Sequence, residues 1–260
     1  MAAGFVGARL FYFLVRSAFL VPMYGWGALF SLPYDGMALG GAVAGAFLSV
    51  WLMEKALKLK PFTLLDALAP AGMLMALLAR LGEFFVSFGQ GAYVENAGHQ
   101  FFPLAVANQW EEWYYAVFML EALIALACLI YALRMRKHPA GRRVLLTLTL
   151  FLLGQIFAES LRAESLKWGF VRVHQLFSVL GVAGVLVYYA AGARRRGAPI
   201  AALMLRFALP FLLGVAALIG LEFAFDKWEE APNWALYMGM AAVLIGMGSL
   251  VFGAEKADKV

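Results

Sequence analysis

GRRVLLTLTLFLLGQIFAESLR, residues 141–162, opens on two arginines, runs through an apolar body and closes on Gln155, Glu159 and Arg162. A helix that crosses the hydrocarbon layer needs about 20 mostly apolar residues, and the window Val144–Ser160 supplies most of one. Its polar residues are not scattered. Gln155, Glu159 and Arg162 stand at i, i+4 and i+7, which puts them on one face of a helix and predicts an ion pair from Glu159 to Arg162.

Similar windows recur along the chain at Met37–Met53, Thr63–Ser87, Tyr114–Leu133, Phe170–Ala190, Ala201–Glu222 and Asn233–Phe252. An eighth, Phe5–Leu20, contains Arg9 and Arg16 and is the weakest signal. The 260 residues are 64% hydrophobic and 14% charged, with a mean hydropathy of +0.80, far from the balance of a water-soluble domain. The expected fold is therefore all-α, a polytopic transmembrane helical bundle of about seven to eight membrane-spanning helices embedded in a lipid bilayer.

A formal charge of +5 could suit nucleic acid, but the basic residues gather in short loops between windows and read as topology signals instead. Lys55, Lys58 and Lys60 form one group, Arg134, Arg136, Lys137, Arg142 and Arg143 a second, and Arg194, Arg195 and Arg196 a third. The positive-inside rule places all three on the cytoplasmic side. The alternate loops agree: residues 90–113 carry Glu95, Glu111 and Glu112 without a lysine or arginine, and residues 223–232 carry Asp226, Glu229 and Glu230 against Lys227. Trp110, Trp113, Trp168, Trp228 and Trp234 fall at those outward ends, as an interfacial aromatic belt does.

Redox and metal chemistry find little support. Cys128 stands alone in an apolar stretch, where a small buried hydrophobe is expected. The three histidines have no metal-ligand neighbour at helical spacing, and neither a phosphate-binding glycine loop nor a hydrolase motif occurs. No metal and no cofactor are expected. The start, Met-Ala-Ala-Gly-Phe, lacks the basic region of a signal peptide.

The informative residues are the ionisable ones inside the windows, which cost about 2.5 to 3.5 kcal/mol each on insertion scales and so pair, face a cavity or serve a function. With the basic loops inside, Gln155, Glu159 and Arg162 occupy the outer half of their helix. His174, Gln175 and Ser178 open the next helix at the same level. Arg80 and Glu83 end the Thr63 window there, and Asp35 precedes the Met37 window. Such groups, at one depth on several helices, predict a shared outward polar cavity. Guanidinium groups there match phosphate oxygens, and the acyl chains of a phospholipid could stay in the bilayer while its head group entered. A small-solute transporter would instead place polar residues at the midplane of an inverted repeat, and no internal repeat is visible.

Four segments together resemble the prolipoprotein diacylglyceryl transferase family. YDGMALGGAVAG, residues 34–45, is similar to that family's histidine followed by GGLxG; ARLGEFFVSFGQG, residues 79–91, to its RxGNFxNGExxG segment. FLLGQIFAESLR, residues 151–162, resembles its YxxxRFxxEFFR helix, and GFVRVHQLFSVL, residues 169–180, its GxxxGQxxSL. GFVGARLFYFL at residues 4–14 and LDALAP at residues 65–70 also resemble flanking family segments, so order and spacing agree over residues 4–196.

The resemblance implies an enzyme of the bacterial plasma (inner) membrane that moves the diacylglyceryl group of phosphatidylglycerol onto the lipobox cysteine of a prolipoprotein, leaving glycerol phosphate. It further implies that Arg80 stands on the phosphate side, that Glu159 and Arg162 are the helix glutamate and arginine, and that Gly91 closes the second motif. Gly40, Gly41 and Gly45 would be the GGLxG glycines, with close helix packing as an equal role. The family histidine is Leu39 here, its helix arginine Gln155, its tyrosine Phe151, its asparagine Glu83 and its next glutamate Phe88. His174 is the remaining candidate base, since imidazole titrates near neutrality. Expected catalytic residues are thus Glu159, Arg162 and His174, and expected phosphatidylglycerol-binding residues Arg80, Glu83, Gly40, Gly41, Gly91 and Gln155. A catalytically impaired pseudoenzyme or phospholipid-binding protein of the same fold is the alternative. The expected organisation is a family-like membrane domain over residues 1–196, followed by an additional pair of transmembrane helices over 197–260.

Overall fold

The structure is a computed structural model that describes residues 2–30, 36–86, 89–135, 138–168, 171–228 and 232–258. Asp35, Phe88, Arg136, Lys137, Glu229 and Glu230 lie outside the described residues, as do the side chains of Leu39 and Asp226.

Apolar composition dictates helices, because a chain segment in hydrocarbon must satisfy its own backbone hydrogen bonds. The chain runs α1 (Ala2–Tyr24), α2 (Leu39–Ala56), α3 (Thr63–Gly82), α4 (Val117–Arg134), α5 (Arg142–Leu161), α6 (Val173–Arg195), a short α7 (Ile200–Leu203), α8 (Leu209–Lys227) and α9 (Asn233–Ala257). Among the described residues, α1, α3 to α6, the α7–α8 rod and α9 are long and apolar enough to cross a membrane. The chain is a multi-pass membrane protein. The Phe5–Leu20 window belongs to a full-length span, and Arg9 within it is buried, donating to the carbonyls of Ala28 (2.6 Å), Leu29 (3.1 Å) and Gly36 (3.0 Å). The Met37–Met53 window forms α2, which is not among those seven spans.

The window Ala201–Glu222 is not one plain helix. A π turn at Met204–Ala208 joins α7 to α8 immediately before Pro210. Proline has no N–H and its ring crowds the carbonyl four residues back, so the wider turn relieves the clash.

Helices α1 and α2 approach closely because glycines face each other: a Cβ on Gly41 would overlap the Gly7 carbonyl, and one on Gly45 the Ala3 carbonyl. Small residues allow this approach where no hydrophobic drive separates helix from lipid. Helix α5 is the most enclosed span. Leu145, Leu146, Leu152, Leu153 and Ile156 pack with Val182, Val185 and Leu186 of α6 and with Met240, Leu244, Met247 and Val251 of α9. The C-terminal helices therefore share the core of the bundle.

The loops that carry the basic groups lie together. Glu54 of α2 accepts the backbone N–H groups of Phe62 (2.8 Å) and Leu64 (2.6 Å) at the start of α3. Asp66 of α3 accepts those of Gly141 (2.6 Å) and Val144 (2.7 Å) at the start of α5. Each is a buried carboxylate on the positive end of a neighbouring helix dipole. Arg142 meets Glu255 of α9 at 3.0 Å, and Arg196 pairs with Asp258, bringing the ends of α6 and α9 to the same side.

The opposite end is covered by residues 83–86 and 89–116 and by a small β-ribbon after α5. Strands β1 (Ala105–Ala107) and β2 (Trp113–Tyr115) pair antiparallel around a turn where the Asn108 carboxamide accepts the N–H groups of Trp110 (2.9 Å) and Glu112 (3.0 Å). Strands β3 (Lys167–Trp168) and β4 (Val171–Arg172) form the second ribbon. Trp110, Trp168, Trp228 and Trp234 are all exposed at this end.

Candidate functional site

At the covered end, the C-terminal turns of α3 and α5 meet the N-terminal turns of α4 and α6. Arg80, in the last turn of α3, is buried and reaches three partners: Glu83 at 2.5 Å, the Gln155 carboxamide oxygen at 2.6 Å and Glu121 of α4 at 3.0 Å. Arg162, just past α5, reaches Glu83 at 2.5 Å and Glu121 at 3.6 Å. Each carboxylate thus divides its two oxygens between the same two guanidiniums. The two arginines occupy one chamber.

Glu159 is buried beside them, where the Ser165 hydroxyl donates to it at 2.6 Å. The expected Glu159–Arg162 ion pair does not form. Helix α5 ends at Leu161, and Arg162 takes an extended backbone (φ −74°, ψ 132°), so its side chain leaves the helical face of Glu159 and turns to Glu83. What remains between them is a backbone hydrogen bond from the Arg162 N–H to the Glu159 carbonyl at 3.3 Å.

His174, in the first turn of α6, is half-buried and lies within electrostatic reach of Glu159, Arg80, Arg162 and Glu83. Among the described residues its ring makes no hydrogen bond. Several donors of the cluster are also unpartnered among the described residues: Nε of Arg80, Nε of Arg162 and the Gln155 amide nitrogen are buried without a hydrogen-bond acceptor. Buried polar atoms left in this state are costly, and both carboxylate oxygens of Glu121 share it.

The glycines divide in their placement. A Cβ on Gly89, which has φ +72°, would collide with Glu83 and approach Arg162 Nη2 to 2.7 Å, so glycine is required for the loop to lie directly over the ion cluster. A Cβ on Gly91 would meet Val117 (2.7 Å) and the Leu161 carbonyl (2.9 Å), packing that loop on the end of α5. Gly40 faces the Phe177 ring, and Gly41 belongs to the α1–α2 contact. Both serve helix packing in this geometry, apart from the ion cluster.

Two cavities flank the cluster. A polar pocket of about 370 Å³ opens above Gly89 and is lined by Gln90, Gly91, Asn108, Trp110, Tyr114 and Glu164. In it the Tyr114 hydroxyl donates to Glu112 at 3.1 Å, which raises its pKa above the ordinary tyrosine value. An apolar groove of about 500 Å³ runs along α4, α5 and α9, past Leu120, Ile124, Gly154, Phe157, Leu244 and Ile245. Leu120 and Gly154 are the chain neighbours of Glu121 and Gln155.

Sequence reasoning missed Glu121, the most enclosed carboxylate of the chamber and fully shielded from solvent. A signal existed, for Glu121 is the lone acid in an otherwise apolar α4 window, but nothing in its spacing points to Arg80 and Arg162, each 41 positions away in the chain. Arg172 and Glu222 were missed likewise.

The family model described as prolipoprotein diacylglyceryl transferase matches residues 1–191. The chain belongs to that family. Relatives of the prolipoprotein diacylglyceryl transferase family include phosphatidylglycerol–prolipoprotein diacylglyceryl transferases of Clostridium novyi, 33% identical over 150 residues (56% of this chain, 58% of the relative), and of Staphylococcus aureus, 30% identical over 186 residues (68% and 65%). A Clostridium perfringens transferase of the same description is 26% identical over 202 residues (74% and 76%). The chain thus spans less than two thirds of the Clostridium novyi and Staphylococcus aureus relatives. No solved structure matches it. The family match ends before α8, so α8 and α9 come to the site from outside it.

Proposed function

We propose that the protein is a membrane transferase that moves the diacylglyceryl group of phosphatidylglycerol to the lipobox cysteine thiol of prolipoproteins. The observation that carries this reading is the convergence of Arg80 and Arg162 on shared carboxylates, with buried guanidinium and amide donors left over for another acceptor. Glu83 marks the place of the lipid phosphate. It bridges the two guanidiniums with two oxygens as a phosphodiester would, and it is the more accessible bridging carboxylate, its side chain 19% exposed against none for Glu121. A phosphate that enters from the bilayer displaces Glu83 and inherits both arginines.

In the reaction, the cysteine thiol loses its proton to the His174 imidazole, which opens α6 beside the ion cluster. The thiolate attacks the glycerol carbon that bears the phosphate ester. A C–S bond forms, the C–O bond breaks with its electron pair going to the phosphate, and glycerol phosphate leaves. Arg80 and Arg162 meet the charge that develops on it. The polar pocket over Gly89 admits the peptide, and the apolar groove beside α4 and α5 accommodates acyl chains. The three groups of basic residues at the far end support a cytoplasmic assignment for that end, which directs the chamber to the outer leaflet of a bacterial plasma membrane.

One observation favours a second reading, a phospholipid-binding protein without chemistry. Arg80 and Arg162 face three carboxylates, Glu83, Glu121 and Glu159, Gln155 adds no third cation, and Phe151 stands buried among Ala125 and Cys128 without a hydroxyl. The experiment that separates the two uses the purified chain, phosphatidylglycerol and a lipobox peptide, with mass spectrometry of the cysteine. The transferase reading expects a diacylglyceryl thioether that disappears in His174→Ala; lipid retained without any thioether establishes the second reading instead.

A further inference from the structure

The last two helices bring a carboxylate into the chamber wall. Glu222, near the end of α8, has its Oε1 hydrogen-bonded by the Gln175 amide nitrogen at 2.7 Å and by the Ser160 hydroxyl. Gln175 Nε2 also lies 2.7 Å from Ser160 Oγ, so the acceptor from α8 joins α5 and α6 in one small network. The other oxygen of Glu222 faces Arg172 Nε at 3.8 Å. Arg172 in turn donates through Nη1 to the carbonyls of Glu159 (2.5 Å) and Arg162 (3.1 Å). Those carbonyls lie at the C-terminal end of α5, the turn on which Glu159 and Arg162 are mounted.

Helix ends leave carbonyls without intrahelical partners, and a cation near them is favourable. A guanidinium bonded to one carbonyl in the last helical turn and to another just past it fixes the direction in which the chain leaves the helix. Here the same guanidinium is only partly buried, on a ribbon of two-residue strands, and needs an anchor of its own. Among the described residues, Glu222 is the carboxylate paired with it.

We infer that Glu222 is a positioning residue: through Arg172, Gln175 and Ser160 it holds the C-terminal turn of α5 so that Arg162 points to Glu83 and Glu121 rather than along its own helix. The α8–α9 pair is then part of the chamber. Glu222 lies outside the residues matched by the family. The inference rests on the transferase reading only for its effect on turnover; its structural half stands alone.

The test compares the full chain with Glu222→Ala, Glu222→Gln and Arg172→Ala. Hydrogen exchange read by mass spectrometry over residues 159–172 is expected to quicken about tenfold in Glu222→Ala and Arg172→Ala, with little further change when the two are combined, because both act through one contact. Glu222→Gln keeps an acceptor for Ser160 and Gln175 and is expected to fall between. Turnover, where the wild type forms thioether, should drop roughly tenfold to a hundredfold in kcat with KM for the lipid nearly unchanged, as for a displaced catalytic group. Unchanged exchange in both alanine variants overturns the inference. A wild type that forms no thioether refutes the transferase reading by itself and leaves the exchange measurement to decide the role of Glu222.

Discussion

At the basic end of the bundle Glu54 and Asp66 each face backbone N–H groups at a helix start, whereas at the covered end Glu83 and Glu121 each face two guanidiniums. The carboxylates at the first end replace missing turns of a helix, and their contacts are complete. Those at the second end hold cations that retain unsatisfied donors. Burial alone does not separate a structural acid from a functional one, for Glu54 and Glu121 are both essentially sealed. The partners do.

Substitution should break the symmetry in stability and in lipid recognition together. Glu121→Ala leaves two buried guanidiniums to share Glu83, and loss of one partner from a buried ion cluster costs about 3 to 5 kcal/mol. Thermal unfolding in detergent should show that loss, accompanied by loss of thioether formation. Asp66→Ala at the basic end removes an acceptor from two N–H groups and should cost about 1 to 3 kcal/mol, while the variant that folds retains its preference for phosphatidylglycerol over diacylglycerol. Equal effects of the two on lipid preference would mean that the covered end is only another structural staple.

Much of this contrast was legible in the sequence. Apolar length gave the spans, the clustering of arginine and lysine gave the common end of three loops, and i, i+4 spacing put Gln155 and Glu159 in the chamber. The pairing inside the chamber was not legible, because it depends on where α5 stops: helical spacing ties Arg162 to Glu159, and the extended backbone at Arg162 unties them. Glu121 and Glu222 were hidden for another reason. Glu121 is a single acid in an apolar helix, Glu222 sits at the outward end of α8 among loop charges, and only the packing of α4 on α3 and the Gln175–Glu222 hydrogen bond tell which face each joins.

A gentler probe sharpens the comparison where the loop meets the ion cluster. Gly89→Ala forces an L side chain to a positive φ and drives its Cβ against Glu83 and Arg162. The expected cost is about 1 kcal/mol or somewhat more in unfolding, with a larger proportional effect on turnover, since the displaced pair is the one that receives the phosphate. A stability change without any change in turnover would detach the loop from the site.

The most direct measurement is native mass spectrometry of phosphatidylglycerol against diacylglycerol retained by the wild type, Arg80→Gln, Arg162→Gln and Glu83→Asn. If the two arginines form one phosphate site held in reserve by Glu83, the wild type prefers phosphatidylglycerol, either arginine substitution abolishes that preference, and Glu83→Asn strengthens it. A preference that survives both arginine substitutions, or that Glu83→Asn leaves untouched, would contradict a shared phosphate site at this end of the bundle.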